Sequence, residues 1–206
     1  EGTLRLVKWA NTRLTAETIY IAPGGKLIIG TVGAPINANR TAEIVFSNSG
    51  SAFSFSWDPK EQSRGLISHG QVTVHGAVKT HMAQCDNSIQ NGLTSIDLKL
   101  AAPTNWRSND DLAIAGTQFK RNTLLSDEVV RFASASGTVI NLQGATPTQK
   151  KHLRVDANMN LHIANLTRNV IFRSESSTPI KSRGHIMFAP GSTTDVRYAT
   201  FLNLGR

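Results

Sequence analysis

Three short segments of β-type sequence follow one another near the carboxyl end, and they constrain the fold more than any other feature. They cover residues 165–176, 183–188 and 195–206, with the sequences NLTRNVIFRSES, RGHIMF and DVRYATFLNLGR. Turn residues separate them, and no helical pattern intervenes. Such a succession is typical of a β-solenoid, in which each coil of the chain contributes strands to stacked sheets.

The rest of the chain repeats this pattern. Short runs of Val, Ile, Leu, Phe and Thr recur between Gly, Asn, Ser, Asp and Pro residues. Val72 with Val74, and Ile96 with Leu98, alternate as strand residues that share a face. The best helical candidate, 148–155, is long enough for a turn or two. The sequence therefore predicts an all-β fold, a right-handed parallel β-helix with a small embedded subdomain of β-hairpin or barrel-like form.

Composition excludes several protein classes. The chain has 206 residues, of which 39% are hydrophobic and 17% charged, so it is neither disordered nor a coiled coil. No run approaches the ~18 apolar residues of a membrane span, and residue 1 does not open a signal peptide. We expect a soluble chain, either a mature secreted product or a fragment. The single cysteine, Cys85, cannot form an intrachain disulfide and is expected to be a partly buried, unreactive thiol.

The formal net charge of +8 favours polyanionic partners. The basic residues are scattered along the chain, and no helix-turn-helix, zinc-ligand or RNA-binding signature accompanies them. Nucleic acid is therefore disfavoured, and an acidic polysaccharide or an anionic cell envelope is the expected partner. The alternative is that the charge only keeps the protein in solution.

Four motifs occur in a characteristic order along the chain. They are IYIAPGGKLIIGTVGAPINANRTAEIVFSN, GLISHGQVTVHGAVKTHM, TSIDLKLAAPTNWRSNDDLAIAG and the carboxyl-terminal segments above. Together they resemble the eight-glycine domain family and the β-helical region that follows it in secreted bacterial proteins, cell-migration-inducing and transmembrane hyaluronidases, and fibrocystin-like proteins. The resemblance implies an extracellular, carbohydrate-associated module. The first half of the usual domain is shortened or missing, and the family normally continues beyond this carboxyl end, so we expect a part of a longer protein.

Three sections are predicted within one structural unit. Residues 1–83 resemble eight-glycine-domain coils, 84–153 form an inserted β subdomain, and 154–206 return to the β-helix. The last coil lacks a cap, which predicts that it continues into further protein or packs against a partner.

The candidate site residues lie mainly in the carboxyl-terminal coils. A glycosidase needs two carboxylates, whereas a polysaccharide lyase needs a cation to neutralise a uronate and a base to remove a proton. The proposed catalytic residues are His185 and Asp195, and the proposed substrate-binding residues are Arg173, Arg183, Arg197 and Trp57.

Alternative roles remain open for these residues. The resemblance implies that His185 matches the histidine of the family's Gly-His-Ile-Met segment, as a base or an acidic-sugar ligand, but a structural role in the coil turn is favoured over catalysis. Asp195 and Arg197 are two residues apart on a predicted strand and so share a face, which suits a salt bridge or a ligand clamp. Enzyme activity, as hydrolase or lyase, is left open.

No cofactor is expected from the sequence. His69, His75 and His81 are spaced by six residues, without the ligand spacing of zinc sites. Asp110 and Asp111 could bind calcium, but a polar turn is favoured because the repeating acidic pattern is missing.

Two functions follow as hypotheses. The first is an extracellular β-helical module that binds or cleaves an anionic, hyaluronan-like polysaccharide. The second is a non-catalytic structural or adhesive protein of the cell surface, or an assembly protein.

Overall fold

The described chain is all-β, as predicted. The computed structural model describes residues 2–48, 56, 64–117, 127–144, 148–154, 156, 158–175 and 179–205. Apart from a three-residue 3-10 turn at Ile180–Ser182, every regular element within these residues is a strand. Across the same residues, no helix has the length and apolar character required to cross a membrane.

The strands, in chain order, are β1 (Thr3–Leu6), β2 (Thr12–Ala16), β3 (Thr18–Ile21), β4 (Lys26–Ile29), β5 (Ala42–Phe46), β6 (Gly65–Ser68), β7 (Gln71–His75), β8 (Met82–Cys85), β9 (Ser95–Asp97), β10 (Asp111–Ile114), β11 (Glu128–Ser136), β12 (Val139–Leu142), β13 (Leu161–Asn165), β14 (Val170–Ser174), β15 (His185–Phe188), β16 (Thr193–Arg197) and β17 (Ala199–Leu202). They are distributed over two compact units. The first unit comprises residues 1–78 and 168–206, and the second comprises 79–167.

The first unit contains three parallel sheets, and the chain visits them in turn. The strand orders are β1-β4-β7-β16 in the first sheet, β2-β5-β14-β17 in the second and β3-β6-β15 in the third. One coil is one pass through these sheets. Successive coils are β1-β2-β3, β4-β5-β6, β7-β14-β15 and β16-β17, and the insertion leaves the third coil between β7 and β14.

Alternate strand residues of each coil point into a common core, because successive side chains of a strand face opposite ways. Leu27, Ile44 and Leu66 represent the three sheets of the second coil in this core, and all are almost fully buried. Val72 and Phe172 continue the same rows in the third coil. The hydrophobic residues of the sequence thus form one stacked core in this unit.

Two tight turns of similar sequence connect the third sheet to the first. Ala22–Gly25 reads APGG and 189–192 reads APGS, and Gly24 and Gly191 adopt left-handed φ values of 78° and 85°. The coils also approach closely at Gly65, where a Cβ atom would lie 1.9 Å from the His185 carbonyl oxygen. A side chain at this position is therefore incompatible with the pairing of β6 with β15.

The second unit is a six-stranded antiparallel sheet that curls until its edges meet. Its strand order is β8-β13-β10-β11-β12-β9. At the edges, the Lys99 N–H donates to the Gln84 carbonyl at 2.7 Å, and the Cys85 thiol donates to the Asp97 carbonyl at 2.9 Å. Burial raises the pKa of the Cys85 thiol, in keeping with the unreactive role expected from the sequence. The core of this unit is a separate cluster that includes Trp106.

The boundaries of the insertion differ from those predicted. Residues 79–83 and 154–167 belong to the second unit, because β13 pairs antiparallel with both β8 and β10. The expected single structural unit is likewise revised to two compact units, since each closes its own sheets over its own core.

A buried polar network joins the two ends of the insertion. Lys79 Nζ donates to both carboxylate oxygens of Asp110 at 2.6 and 2.8 Å, and Asn165 Nδ2 donates to Asp110 Oδ2 at 2.8 Å. All three side chains are buried. Lys79 therefore occupies the position that a calcium ion at Asp110 would need.

Candidate functional site

The predicted site residues are distributed over all three sheets of the first unit. Asp195 and Arg197 lie on β16 of the first sheet, and Arg173 lies on β14 of the second. His185 begins β15 of the third sheet, and Arg183 precedes that strand with its Nε atom buried. Trp57 lies outside the described residues. The structure thus brings together Asp195 and Arg197, but it places them on a different sheet from His185.

The outward side of the first sheet, named here the first-sheet face, is almost entirely polar. Leu27, Val72 and Val74 of this sheet point into the core, so the residues between them face outward. The residues of the face are Thr3, Arg5, Lys26, Ile28, Gln71, Thr73, His75, Thr193, Asp195 and Arg197.

Parallel register aligns these side chains in rows across the strands. One row contains Thr3, Lys26, Gln71 and Thr193. Neighbouring strands are about 4.8 Å apart, so members of a row are direct neighbours. The face therefore presents a regular array of hydroxyl, amide and cationic groups.

Asp195 is the one acidic residue in the four strands of the face, and both of its oxygens are occupied. Arg197 Nε donates to Oδ1 at 2.9 Å, and His75 Nε2 lies 2.8 Å from Oδ2. The hydrogen bond from Arg197 lowers the pKa of Asp195; partial burial opposes this, and the hydrogen bond and charge of His75 lower it further. The ionised form of Asp195 is therefore favoured.

His75 is the residue of this cluster that sequence reasoning did not assign to the site. Its side chain is only 4% exposed, although it lies on the outward side of β7. The Ile36 N–H donates to the His75 carbonyl at 3.0 Å, so the segment after β4 packs at this end of the strand. The pairing of β7 with β16 places His75 opposite Arg197. Because the insertion separates these strands in sequence, only the pairing itself could have revealed the contact.

Arg173 takes part in a separate ion-pair ladder on the outward side of the second sheet. Glu43 Oε1 accepts from Arg173 Nε, and Oε2 accepts from Arg13 Nε, both at 2.6 Å. Burial raises the pKa of Glu43, but the hydrogen bonds and charges of Arg173 and Arg13 outweigh it and lower the pKa overall. Arg173 is therefore held by a partly buried carboxylate and belongs to a cross-strand ladder that stabilises the coils.

The three evenly spaced histidines do not converge. The His69 ring packs at 5.7 Å from the Tyr20 ring, and His75 pairs with Asp195. His81 belongs to the second unit. Nowhere in the described parts of the chain do three histidine, cysteine or acidic side chains gather closely enough to hold a metal ion.

The chemistry available at the first-sheet face is that of anion recognition. Arg5, Lys26 and Arg197 are exposed, while the carboxylate of Asp195 is already paired. Hydroxyl and amide groups of Thr3, Gln71 and neighbouring residues can donate or accept hydrogen bonds. Such a surface favours a ligand that carries both negative charges and hydroxyl groups.

Two solved structures are similar to the chain at low identity. The tailspike gp61 of Pseudomonas phage phi297 matches with 13% identity and a TM-score of 0.34, over 91% of this chain and 25% of that one. The Gp54 tailspike of Acinetobacter baumannii bacteriophage AP22, solved with A. baumannii capsular saccharide, matches with 16% identity and a TM-score of 0.34, over 82% of this chain and 23% of that one. The chain spans about a quarter of their length, and similarity at this level supports no functional argument. No curated protein matches the chain significantly.

One family model matches the amino-terminal part of the chain. It is that of the G8 domain, and the match covers residues 1–84. These residues include the first two coils, β7 of the third coil and the first three residues of β8 in the insertion. The match agrees with the resemblance to the eight-glycine domain family: residues 1–84, which contain the first two of the four motifs, are similar to the G8 domain.

Proposed function

We propose that the first-sheet face binds an acidic, hyaluronan-like polysaccharide and that the chain is an extracellular module. The observation that carries the proposal is the charge of this face. It exposes three cations, Arg5, Lys26 and Arg197, and its one carboxylate is paired at both oxygens. The net charge of +8 favours the same class of ligand over long range.

The geometry of the face suits an extended chain molecule. Four parallel strands span roughly 14 Å from the first to the last, given a spacing of about 4.8 Å. This is long enough for several sugar units to cross the strands, with their carboxylates near the cations and their hydroxyls near Thr3, Gln71 and Thr193. We propose that the three parallel sheets form a right-handed β-helix, whose flat sides provide such surfaces.

Binding is favoured over cleavage by the protonation state of the cluster. A glycosidase needs one protonated and one ionised carboxylate, and the lowered pKa of Asp195 keeps it ionised. A lyase needs an accessible base, whereas the His75 side chain is almost fully buried against Asp195. The sequence-based hypothesis that His185 and Asp195 act in catalysis remains a prediction.

The proposal is tested by fluorescence anisotropy with a labelled hyaluronan oligosaccharide. We expect saturable binding that weakens as the salt concentration rises, because exposed charges are screened over about 10 Å at 0.1 M ionic strength. Neutral dextran of equal length and duplex DNA serve as specificity controls. Binding to dextran as tight as to hyaluronan, or tighter binding to DNA than to any acidic glycan, would contradict the proposal.

Self-association is a second candidate function, and the end coils of the first unit favour it. Core-facing positions are exposed at both ends, with Leu4 at 46% in the first coil, and Phe201 at 48% and Phe188 at 40% at the other end. Both ends also present strand edges that can pair with another chain. A second copy stacked head to tail would cover these side chains and continue the parallel sheets.

This second candidate is tested by light scattering over a range of protein concentrations. We expect growth of oligomers with concentration, and a reduction when Phe201 is replaced by Lys. A strictly monomeric particle at every concentration would contradict it.

A further inference from the structure

The second unit contains a groove beside the carboxyl-terminal half of β11. Its volume is about 540 Å³, within the range of about 300–1,000 Å³ that is usual for small-molecule sites. The segment 101–108 forms one wall and 132–137 forms the other. All of its lining residues belong to the second unit, so this groove is distinct from the first-sheet face.

The floor of the groove is aromatic and rigid. The rings of Trp106 and Phe132 pack edge to face, with centroids 5.9 Å apart and an interplanar angle of 88°. Both side chains are about 5% exposed, so only a small part of each is accessible to a ligand in the groove. Trp106 is fixed further because its Nε1–H donates to the Thr80 carbonyl at 2.7 Å.

The walls supply hydroxyl groups but no charge. Thr104, Ser108 and Ser134 line the groove together with alanine, proline and glycine residues. Among the described residues of the lining, none is acidic or basic. The groove therefore suits an uncharged ligand that has both an apolar face and hydroxyl groups.

A β-bulge opens the edge of β11 toward this groove. The register of β11 with β12 shifts between Phe132 and Ser134, and bulges of this kind redirect the backbone. The Leu98 N–H donates to the Thr138 carbonyl, and the Leu142 N–H donates to the Thr94 carbonyl. The even-numbered residues of β12 therefore direct their backbone N–H and C=O groups toward β9. Ala135 lies opposite Ile140, and its own N–H and C=O consequently point away from β12, toward the groove.

This open edge is too short to accept another strand. Phe132 exchanges hydrogen bonds with Asn109 and Asp110, and the Gly137 carbonyl accepts from Ala102. The backbone groups of Phe132 and Gly137 are thus already hydrogen-bonded. Between them, the backbone of about one residue, Ala135, faces the groove. A compact ring with a neighbouring donor and acceptor fits this edge, whereas an extended peptide does not.

We propose that this groove binds one neutral sugar unit. The apolar face of a pyranose ring would rest on the edges of Trp106 and Phe132, while neighbouring hydroxyl groups would exchange hydrogen bonds with Ala135 and with Ser134. The inference does not depend on the function proposed for the first-sheet face, because the ligand is uncharged and the lining residues are different.

The proposal is tested by NMR on the full chain, with the indole N–H signal of Trp106 as the reporter. Maltotriose and an uncharged N-acetylglucosamine trimer are the probes. We expect a saturable shift of this signal at millimolar concentration of at least one of the two probes. The signal of Trp9, which is 65% exposed in the first unit, should not move.

Two matched substitutions of alanine by leucine test whether the sugar binds in this groove. Ala135→Leu fills the groove and should weaken binding about tenfold or more, whereas Ala115→Leu alters an exposed alanine of the same unit outside the groove. No saturable shift with either probe, or undiminished binding by Ala135→Leu, would overturn the proposal. Arg197→Gln should leave this binding unchanged even if it abolishes binding of acidic glycan.

Discussion

Removal of the one negative charge from the first-sheet face should strengthen the binding of an acidic glycan. Asp195→Asn keeps an oxygen that can accept from His75 or Arg197, so the local hydrogen bonds are largely retained. A ligand carboxylate bound at Arg197 would lie roughly 6 Å from Asp195, where two unit charges repel by about 0.7 kcal/mol in water. Relief of this repulsion corresponds to about threefold tighter binding at low salt.

The assay is fluorescence anisotropy with a hyaluronan oligosaccharide, and the second unit offers matched controls. Asp111 and Arg131 form an exposed ion pair at 3.4 Å, comparable to that of Asp195 and Arg197 at 2.9 Å. Asp111→Asn should leave affinity unchanged, as should Arg131→Gln, while Arg197→Gln should weaken binding. Weaker binding by a folded Asp195→Asn variant would refute the electrostatic reasoning. Loss of depolymerising activity in that variant would instead indicate that Asp195 is catalytic.

Three further predictions concern the stability of the fold, measured by urea unfolding. Lys79→Met leaves the buried carboxylate of Asp110 without its counter-ion and should cost about 3–5 kcal/mol; a cost below about 1 kcal/mol would contradict this. Gly65→Ala places a Cβ 1.9 Å from a carbonyl oxygen at φ +125° and should cost more than about 2 kcal/mol, whereas Gly33→Ala, with open space around it, should stay within about 0.5 kcal/mol. The lowered pKa of Glu43 means that its stabilising effect is present above the unfolded-state pKa of about 4.3 and is lost as pH falls through the folded pKa. Glu43→Gln should therefore destabilise the chain at pH 7 and have little effect at low pH, and an equal effect at both would count against the ladder.

The all-β fold could be predicted from the sequence because its signals are local. Alternation at Val72 and Val74 predicts one buried face, and both residues are in the core of the first unit. The two-residue spacing of Asp195 and Arg197 likewise predicts a shared face, which their ion pair confirms.

Contacts between distant segments could not be predicted in the same way. His75 and Asp195 are 120 residues apart, and Glu43 and Arg173 are 130 apart. These pairs form because the insertion leaves and returns to the same coil, so that β14 continues the coil that β7 begins. β7 then pairs with β16, and β14 pairs with β5, in the neighbouring coils. The end of the insertion depends on such contacts as well, since β13 resembles a coil strand until its antiparallel partners are known.

The most direct test of the central claim is a map of amide chemical shifts during titration with a hyaluronan hexasaccharide. We expect the largest shifts on the outward residues of β4, β7 and β16, including Lys26, Gln71 and Arg197. Residues of the second-sheet ladder, such as Arg13, should shift little. Shifts confined to the second or third sheet or to the inserted unit, or no shifts at all, would contradict the claim that the first-sheet face binds acidic polysaccharide.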